Sequence, residues 1–188
     1  MIRQNLVGIK ERIQQSCAKV GRYPQEITLV AVTKGRGSEQ LQEAAHAGIY
    51  DIGENKVQEA LTKHMYLQAI RYSLTRIRWH MIGHLQTNKV KAAVRIFDLI
   101  QSVDSLRLAE EINTQAAKIN KIQEVLVEVN ISATQSKFGI RTDEALGVVA
   151  KMDGLRNIRI KGLMGIAPSA LCNKSLTVHK GVWGRSSP

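Results

Sequence analysis

The chain has 188 residues, of which 44% are hydrophobic and 23% are charged, a balance typical of one globular domain rather than of a disordered or collagen-like chain. The net charge is +11, but the basic residues are spread along the chain and only 4% of residues are aromatic, so we do not expect nucleic acid as a partner. No apolar run reaches the roughly eighteen residues of a membrane span, and the two distant cysteines indicate neither a disulfide framework nor a zinc site. We therefore expect a soluble, cytoplasmic protein with no membrane partner.

The first predicted elements are a helix, a strand and a second helix. Apolar residues recur at spacings of three and four over residues 2–20, and Gly21 is a typical helix end signal. Residues 27–33 (ITLVAVT) form a β-branched and nearly continuous apolar run, which is typical of a strand covered on both faces in a parallel sheet. Ser38 is then expected to cap a helix over residues 39–47.

The same unit of a strand followed by a helix recurs along the rest of the chain. Alternating elements with short links predict a parallel α/β fold, either an open sheet or a (β/α) barrel, and the pattern alone leaves both open. The further strands are predicted at residues 50–54, 77–83, 99–103, 125–131 and 158–166, and the further helices at residues 56–64, 88–96, 105–119 and 143–152.

Polar residues are concentrated where the predicted strands end. Lys34, Asn55, His84, Asp104 and Asn130 all fall at or just past the carboxyl ends of strands. Barrels and doubly wound sheets both build their functional sites at that edge. The functional site is therefore predicted at the carboxyl edge of the sheet.

Lys34 is the chemically most interesting of these residues. A lysine held at the end of a strand is suited to forming a Schiff base with an aldehyde, although most lysines in such positions simply reach solvent. The following Gly35-Arg36-Gly37 superficially resembles a dinucleotide-binding turn, but the third glycine of that fingerprint is replaced by Gln40. We therefore discount a dinucleotide site.

Metal and hydrolase sites are not indicated. His80 and His84 have the spacing of zinc-binding helices, but the segment reads as a strand, in which four residues span about 13 Å. No nucleophile elbow or phosphate-binding Walker loop is present, and no catalytic residues are assigned.

Six strings, in this order and spacing, together resemble the family of pyridoxal-phosphate homeostasis proteins, known as the YggS or PROSC family. Any one of them alone would be a weak signal, but together they cover residues 1–168. They are LVAVTK (29–34), GENKVQE (53–59), WHMIGHLQTNK (79–89), VNIS (129–132), SKFGI (136–140) and GLMGIAP (162–168).

The resemblance implies a fold and a cofactor. The fold is α/β, a TIM-type (β/α) barrel similar to the N-terminal domain of alanine racemase, with about six of its eight strands within this chain. The cofactor is pyridoxal 5'-phosphate, held by Lys34 as a Schiff base at the mouth of the barrel. Asn55, His80, Asn130 and Met164 match positions that line the same mouth.

The resemblance also implies a function without known catalysis. Such proteins take part in the homeostasis of vitamin B6 cofactor and of amino acids, with pyridoxal-phosphate-dependent apoenzymes as possible recipients of the cofactor. A site without a positioned acid and base can hold the cofactor but cannot move protons on a substrate carbon. The alternatives are a racemase or decarboxylase of the same barrel type, and a non-functional remnant.

The end of the chain departs from the family pattern. Residues 169–188 contain no acidic residue, no helical periodicity and no clear strand, so we expect an unstructured tail after a partial barrel over residues 1–168. The family continues with two further strands and phosphate-binding turns, which this tail does not match. The expectation is a chain truncated or frameshifted after Pro168.

Overall fold

A computed structural model describes residues 2–70, 77–132 and 138–166. Helices and parallel strands alternate along these ranges. The helices are α1 (Ile2–Lys19), α2 (Ser38–His46), α3 (Val57–Ala69), α4 (Val90–Ile96), α5 (Leu106–Ala117) and α6 (Ala145–Asp153), with short 3₁₀ turns at Pro24–Glu26 and Thr87–Lys89. The strands are β1 (Ala31–Val32), β2 (Asp51–Glu54), β3 (Arg78–Met81), β4 (Leu99–Val103), β5 (Gln123–Asn130), β6 (Ile140–Arg141) and β7 (Ile158–Met164).

The strands form one parallel sheet in chain order. Each of β1 to β5 pairs with the next, and β5 then pairs with β7 along most of its length and with the short β6 at its end. Every pairing is parallel, which places all the carboxyl ends at one edge. This confirms the predicted α/β fold with six main strands, and adds β6, whose two residues are too few to produce a sequence pattern.

The first strand is much shorter than its sequence predicts. The apolar run covers residues 27–33, but ladder pairing is confined to Ala31 and Val32, opposite Ile52 and Gly53 of β2. Within the described residues β1 pairs with β2 alone, and β2 is only four residues long, which limits the length of the pairing. A run that would be buried in a closed sheet is therefore an edge here, and Val32 is 49% exposed.

The hydrophobic core lies between the outer face of the sheet and the helices. Alternate residues of the strands, such as Ile52, Ile100 and Val125, are fully buried against helix residues that include Ile112. Side chains of a strand alternate between faces, so the intervening residues point to the inner face. That inner face carries polar residues such as His80, whereas Glu54 of β2 is a polar residue on the outer face, paired with Lys63 of α3.

The inner face is curved as in a barrel. Arg78 of β3 reaches past β4 to Glu124 of β5, with an Nη2 to Oε2 distance of 3.9 Å. Glu124 also meets Arg159 and Lys161 of β7 at 3.9 and 3.6 Å. Side chains of β3 and β7 therefore converge on the carboxylate of Glu124 in β5, as expected inside a (β/α) barrel.

Two helix starts can be compared with their predictions. The helix predicted over residues 105–119 is α5, and Ser105 is its N-cap, since its hydroxyl accepts a hydrogen bond from Leu108 N at 3.3 Å. The prediction that Ser38 caps α2 is wrong: Gly37 is the N-cap, and no side chain caps this helix. The extended backbone of Gly37 lets the chain enter the helix at Ser38 itself.

Two expectations from the sequence concern a membrane span and the end of the chain. No helix in the described ranges is long and apolar enough to cross a bilayer. The expected tail, residues 169–188, lies outside the described residues, as do residues 167 and 168 at the end of the predicted barrel.

Candidate functional site

Lys34 lies on a tight turn that follows β1. Arg36 N donates to Thr33 O at 3.0 Å, and Gly35 in the third position has φ +66°, a left-handed conformation that suits glycine in a type II turn. The Thr33 hydroxyl donates to the Glu54 carboxylate, which also contacts Lys63 of α3, so the side chain of Thr33 faces α3. Lys34 is exposed and makes no hydrogen bond or ion pair within the part of the chain that the structure describes. Its amine is thus available to a ligand.

The backbone of this turn is bound by charged side chains of β2 and α3. Lys63 Nζ donates to Thr33 O at 2.6 Å and also contacts Glu54 Oε1 at 2.5 Å and Glu59 Oε1 at 2.9 Å. Glu59 Oε1 accepts a hydrogen bond from Gly35 N at 2.6 Å, and the Thr33 hydroxyl donates to Glu54. The hydrogen bond from Lys63 lowers the pKa of the Glu59 carboxyl. Lys63 and Glu59 therefore hold the main chain on either side of Lys34, and Glu54 holds the side chain of Thr33.

Asn55 follows β2 directly and is half-buried. Val32 pairs with Gly53, so Lys34 and Asn55 each lie two residues beyond paired positions, at the same edge. Gly83 allows the chain after β3 to approach this point, because a Cβ on Gly83 would lie 2.5 Å from Asn55 O. Lys34 and Asn55 therefore lie at neighbouring strand ends, and their place in a cofactor site, implied by the resemblance, stays a prediction.

His80 lies deeper than the other candidates. It pairs with Gly53, two residues before Asn55, and is only 2% exposed. Gln101 Nε2 lies 2.8 Å from its Nδ1, and Asp51 Oδ1 lies 2.9 Å from its Nε2. An amide nitrogen can only donate, so Nδ1 accepts and Nε2 carries the proton toward Asp51. Burial lowers the pKa of His80 despite the opposing effect of Asp51.

Both ring nitrogens of His80 are thus already paired with protein groups. Its place inside the barrel suits a residue that supports the sheet below the mouth. A direct contact between His80 and a cofactor, implied by the resemblance, stays a prediction.

Asn130 and Met164 end β5 and β7, and both are half-buried. Asn130 Oδ1 accepts hydrogen bonds from Ser132 N at 3.2 Å and from Ser132 Oγ at 3.0 Å. Asn130, Ser132 and Phe138 line a cavity of about 200 Å³ together with Glu128, Val129, Ile131 and Ile166. Four of the five candidates, Lys34, Asn55, Asn130 and Met164, therefore lie at the carboxyl edge that the sequence predicts.

A second group of side chains lies at the same edge. His84 Nδ1 is 3.0 Å from Asp104 Oδ2, so the two polar residues predicted at strand ends do meet. The His84 ring stacks on Phe138 with 3.9 Å between ring centroids and 12° between planes. Burial raises the pKa of the nearby Glu128 carboxyl, and the charge of Asp104 raises it further.

Sequence reasoning missed Phe138 and Glu128 in this group, and Glu54, Glu59 and Lys63 around the turn. Lys63 carried a usable signal, because it interrupts the apolar stripe of α3. The contacts of the others depend on chain pairing and leave no local pattern. Within the described ranges no group of three or more His, Cys, Asp or Glu residues could hold a metal ion.

The groups at this edge suit pyridoxal phosphate in their chemistry. An exposed primary amine at Lys34 can react with an aldehyde, and the amide of Asn55 offers both donors and acceptors beside it. The family's phosphate-binding turns follow the position of residue 168, but the sequence of residues 169–188 does not match them, and those residues lie outside the described ranges.

Comparison with known proteins agrees with the observed fold and also identifies the protein family. The family model described as "Alanine racemase, N-terminal domain" matches residues 5–180. The pyridoxal phosphate homeostasis protein of Escherichia coli K12 is 36% identical over 165 residues, covering 88% of this chain and 70% of that protein.

Solved structures give the same result. PipY of Synechococcus elongatus PCC7942, solved with pyridoxal phosphate bound, is 30% identical with a TM-score of 0.70, covering 88% of this chain and 72% of PipY. Alanine racemase of Clostridium difficile 630 is 14% identical with a TM-score of 0.60, covering 76% of this chain and 36% of the racemase, and shares the fold alone. The chain therefore belongs to the alanine racemase N-terminal domain family and, within it, to the pyridoxal phosphate homeostasis proteins.

Proposed function

We propose that this protein binds pyridoxal 5'-phosphate covalently through Lys34 and serves the homeostasis of that cofactor without catalysing a reaction of its own. The observation that carries the proposal is the exposed amine of Lys34 on a bound turn at the carboxyl edge of the sheet. Family membership supports the choice of ligand, because the relative PipY was solved with this cofactor.

The chemistry at Lys34 needs one reactive amine and little else. The cofactor supplies an aldehyde, and condensation of the aldehyde with Lys34 Nζ forms a carbon–nitrogen double bond and releases one water. Asn55, on the neighbouring strand end, offers an amide for hydrogen bonds to the ring. Asn130 and Met164 close the mouth from the side of β5 and β7, and His80 supports the floor.

A carrier is favoured over a racemase or decarboxylase. Those reactions need an acid or base on each side of a substrate carbon. At this edge the His84 ring is stacked on Phe138 and paired with Asp104, and Glu128 is buried. We therefore propose a cofactor carrier whose recipients are pyridoxal-phosphate-dependent apoenzymes.

We also propose the cytoplasm as its compartment. The reduced, buried Cys17 fits a reducing environment.

The decisive experiment is covalent trapping. The purified chain is titrated with pyridoxal phosphate while visible absorption is recorded, then reduced with borohydride and mapped by peptide mass spectrometry. Lys34→Ala removes the proposed amine, and Lys151→Ala, which removes an exposed lysine on α6, is the matched control.

We expect saturable absorption and a single label on Lys34, both lost in Lys34→Ala and retained in Lys151→Ala. Labels scattered over surface lysines, or none, would refute the proposal and favour a non-functional remnant. Turnover of alanine, ornithine or lysine by the loaded chain would favour the racemase or decarboxylase alternative.

A further inference from the structure

Lys63 and Glu54 form a buried ion pair directly behind the turn that carries Lys34. Lys63 is 3% exposed and Glu54 is fully buried, and their charged atoms lie 2.5 Å apart. Glu59 joins them from the surface of α3, with its side chain 28% exposed. The second oxygen of Glu54, Oε2, is buried and has no hydrogen-bond partner among the residues that the structure describes.

Such a pair is an unusual choice for stability alone. Taking two charges out of water is costly, and a buried ion pair is often no more stabilising than apolar residues of similar size. The inner stripe of α3 is otherwise apolar at Val57, Ala60 and Leu67. A fourth apolar residue at position 63 would continue that stripe, so the lysine calls for another explanation.

The contacts of the group supply that explanation. Lys63 binds Thr33 O at 2.6 Å, Glu59 binds Gly35 N at 2.6 Å, and Glu54 binds the Thr33 hydroxyl. Together they hold the residues immediately before and after Lys34. Lys34 has no side-chain partner of its own in the described ranges, so its direction follows from the main chain alone.

We propose that Lys63, Glu54 and Glu59 are positioning residues that fix the direction in which the Lys34 amine enters the mouth. This inference rests on the proposed function of Lys34. None of the three needs to touch the cofactor, because Lys63 and Glu59 act through the main chain of residues 33 and 35 and Glu54 acts through the Thr33 hydroxyl and Lys63. Lys63 is central, since it alone binds both carboxylates and the backbone.

The test uses Lys63→Met, which keeps the length of the side chain and removes its charge. Lys121→Met is the matched control, because Lys121, like Lys63, donates to the main chain, but at the carboxyl end of α4: Val94 O at 2.8 Å and Phe97 O at 2.7 Å. The rate of borohydride-trapped labelling of Lys34 by pyridoxal phosphate is measured by mass spectrometry. Exchange of the Gly35 amide hydrogen is followed without cofactor.

We expect Lys63→Met to slow the labelling of Lys34 by about tenfold or more, since misplaced reacting groups lose rate steeply. Lys121→Met should stay within about twofold of the unmodified chain, because distant sites act independently. The Gly35 amide should exchange faster in Lys63→Met only. Unchanged labelling together with unchanged Gly35 exchange would overturn the proposal.

Glu59 gives a second test with little risk to folding, because its side chain reaches the surface. Glu59→Ala removes the acceptor for Gly35 N and should slow labelling, whereas Glu59→Gln keeps an acceptor oxygen and should restore most of the rate. Equal rates in the two variants would contradict the positioning role of Glu59.

Failure of the proposed function gives a different result. In that case the unmodified chain itself carries no specific label on Lys34. Exchange of the Gly35 amide hydrogen then tests the inference alone. Faster exchange in Lys63→Met supports the contacts of Lys63, Glu54 and Glu59 with residues 33–35, and unchanged exchange overturns them.

Discussion

His80 should make the stability of this protein depend on pH. Burial lowers its pKa below the ordinary value of 6.5, although Asp51 beside it acts in the opposite direction and the charges of Arg78 and Asp98 add smaller effects. Between the folded-state pKa and 6.5 the unfolded chain binds more protons than the folded one, so the free energy of unfolding rises with pH. Stability is therefore lost as pH falls below the ordinary value.

The size of this loss has an upper limit. If His80 stays neutral while folded, lowering the pH from about 7.5 to about 5.5 costs at most about 1.4 kcal/mol, the equivalent of one proton over one pH unit. Partial protonation of the folded state makes the loss smaller. The sign is the same in either case.

Urea unfolding at the two pH values, followed by far-UV circular dichroism, measures this effect. Other groups also titrate, so the informative quantity is the difference between the unmodified chain and His80→Gln. Glutamine keeps a donor and an acceptor for Asp51 and Gln101 but does not titrate. We expect the unmodified chain to lose more stability than the variant on acidification. An equal loss would show that His80 is not held neutral.

Three further predictions concern packing, backbone strain and helix capping, and five substitutions test them by their urea midpoints. Phe97→Ala removes a fully buried ring and should cost about 3–5 kcal/mol, whereas Tyr23→Ala, at a residue 73% exposed, should change stability little. Gly139→Ala places a Cβ 2.7 Å from a backbone nitrogen of β5 at φ +112° and should cost about 1–3 kcal/mol. Gly147→Ala, in α6 with open space around it, should instead stabilise by about 0.5–1 kcal/mol. Ser105→Ala removes the cap of α5 and should cost about 1 kcal/mol, and an unchanged midpoint would show that the cap hydrogen bond contributes nothing.

The order and type of the elements could be predicted from local patterns. Apolar periodicity identifies α1, and continuous β-branched runs identify the buried strands, because each pattern reflects which faces must leave water. The edges of the sheet could not be predicted in this way. The run at residues 27–33 has the composition of a central strand, but ladder bonds need a neighbour, and only Ala31 and Val32 have one in β2.

Some residues of the candidate site could be predicted from the sequence, and others could not. Strand ends predict Lys34, Asn55 and Asn130 as site residues, and the family resemblance alone adds His80 and Met164; all five stay predictions. The group behind Lys34 could not be predicted, because Lys63 lies 30 residues from Thr33 and its role depends on how α3 packs against β1 and β2.

By itself the sequence determines a parallel α/β fold, the edge at which its polar residues gather and the lysine that could react with an aldehyde. These follow from periodicity and strand ends, which are local properties of the chain. Tertiary structure alone decides that His80 is buried between Asp51 and Gln101, and that Lys63 is paired with Glu54 instead of reaching water. The physical reason is that burial and pairing of a charge depend on which distant strands and helices surround it, and spacing along the chain does not carry that information.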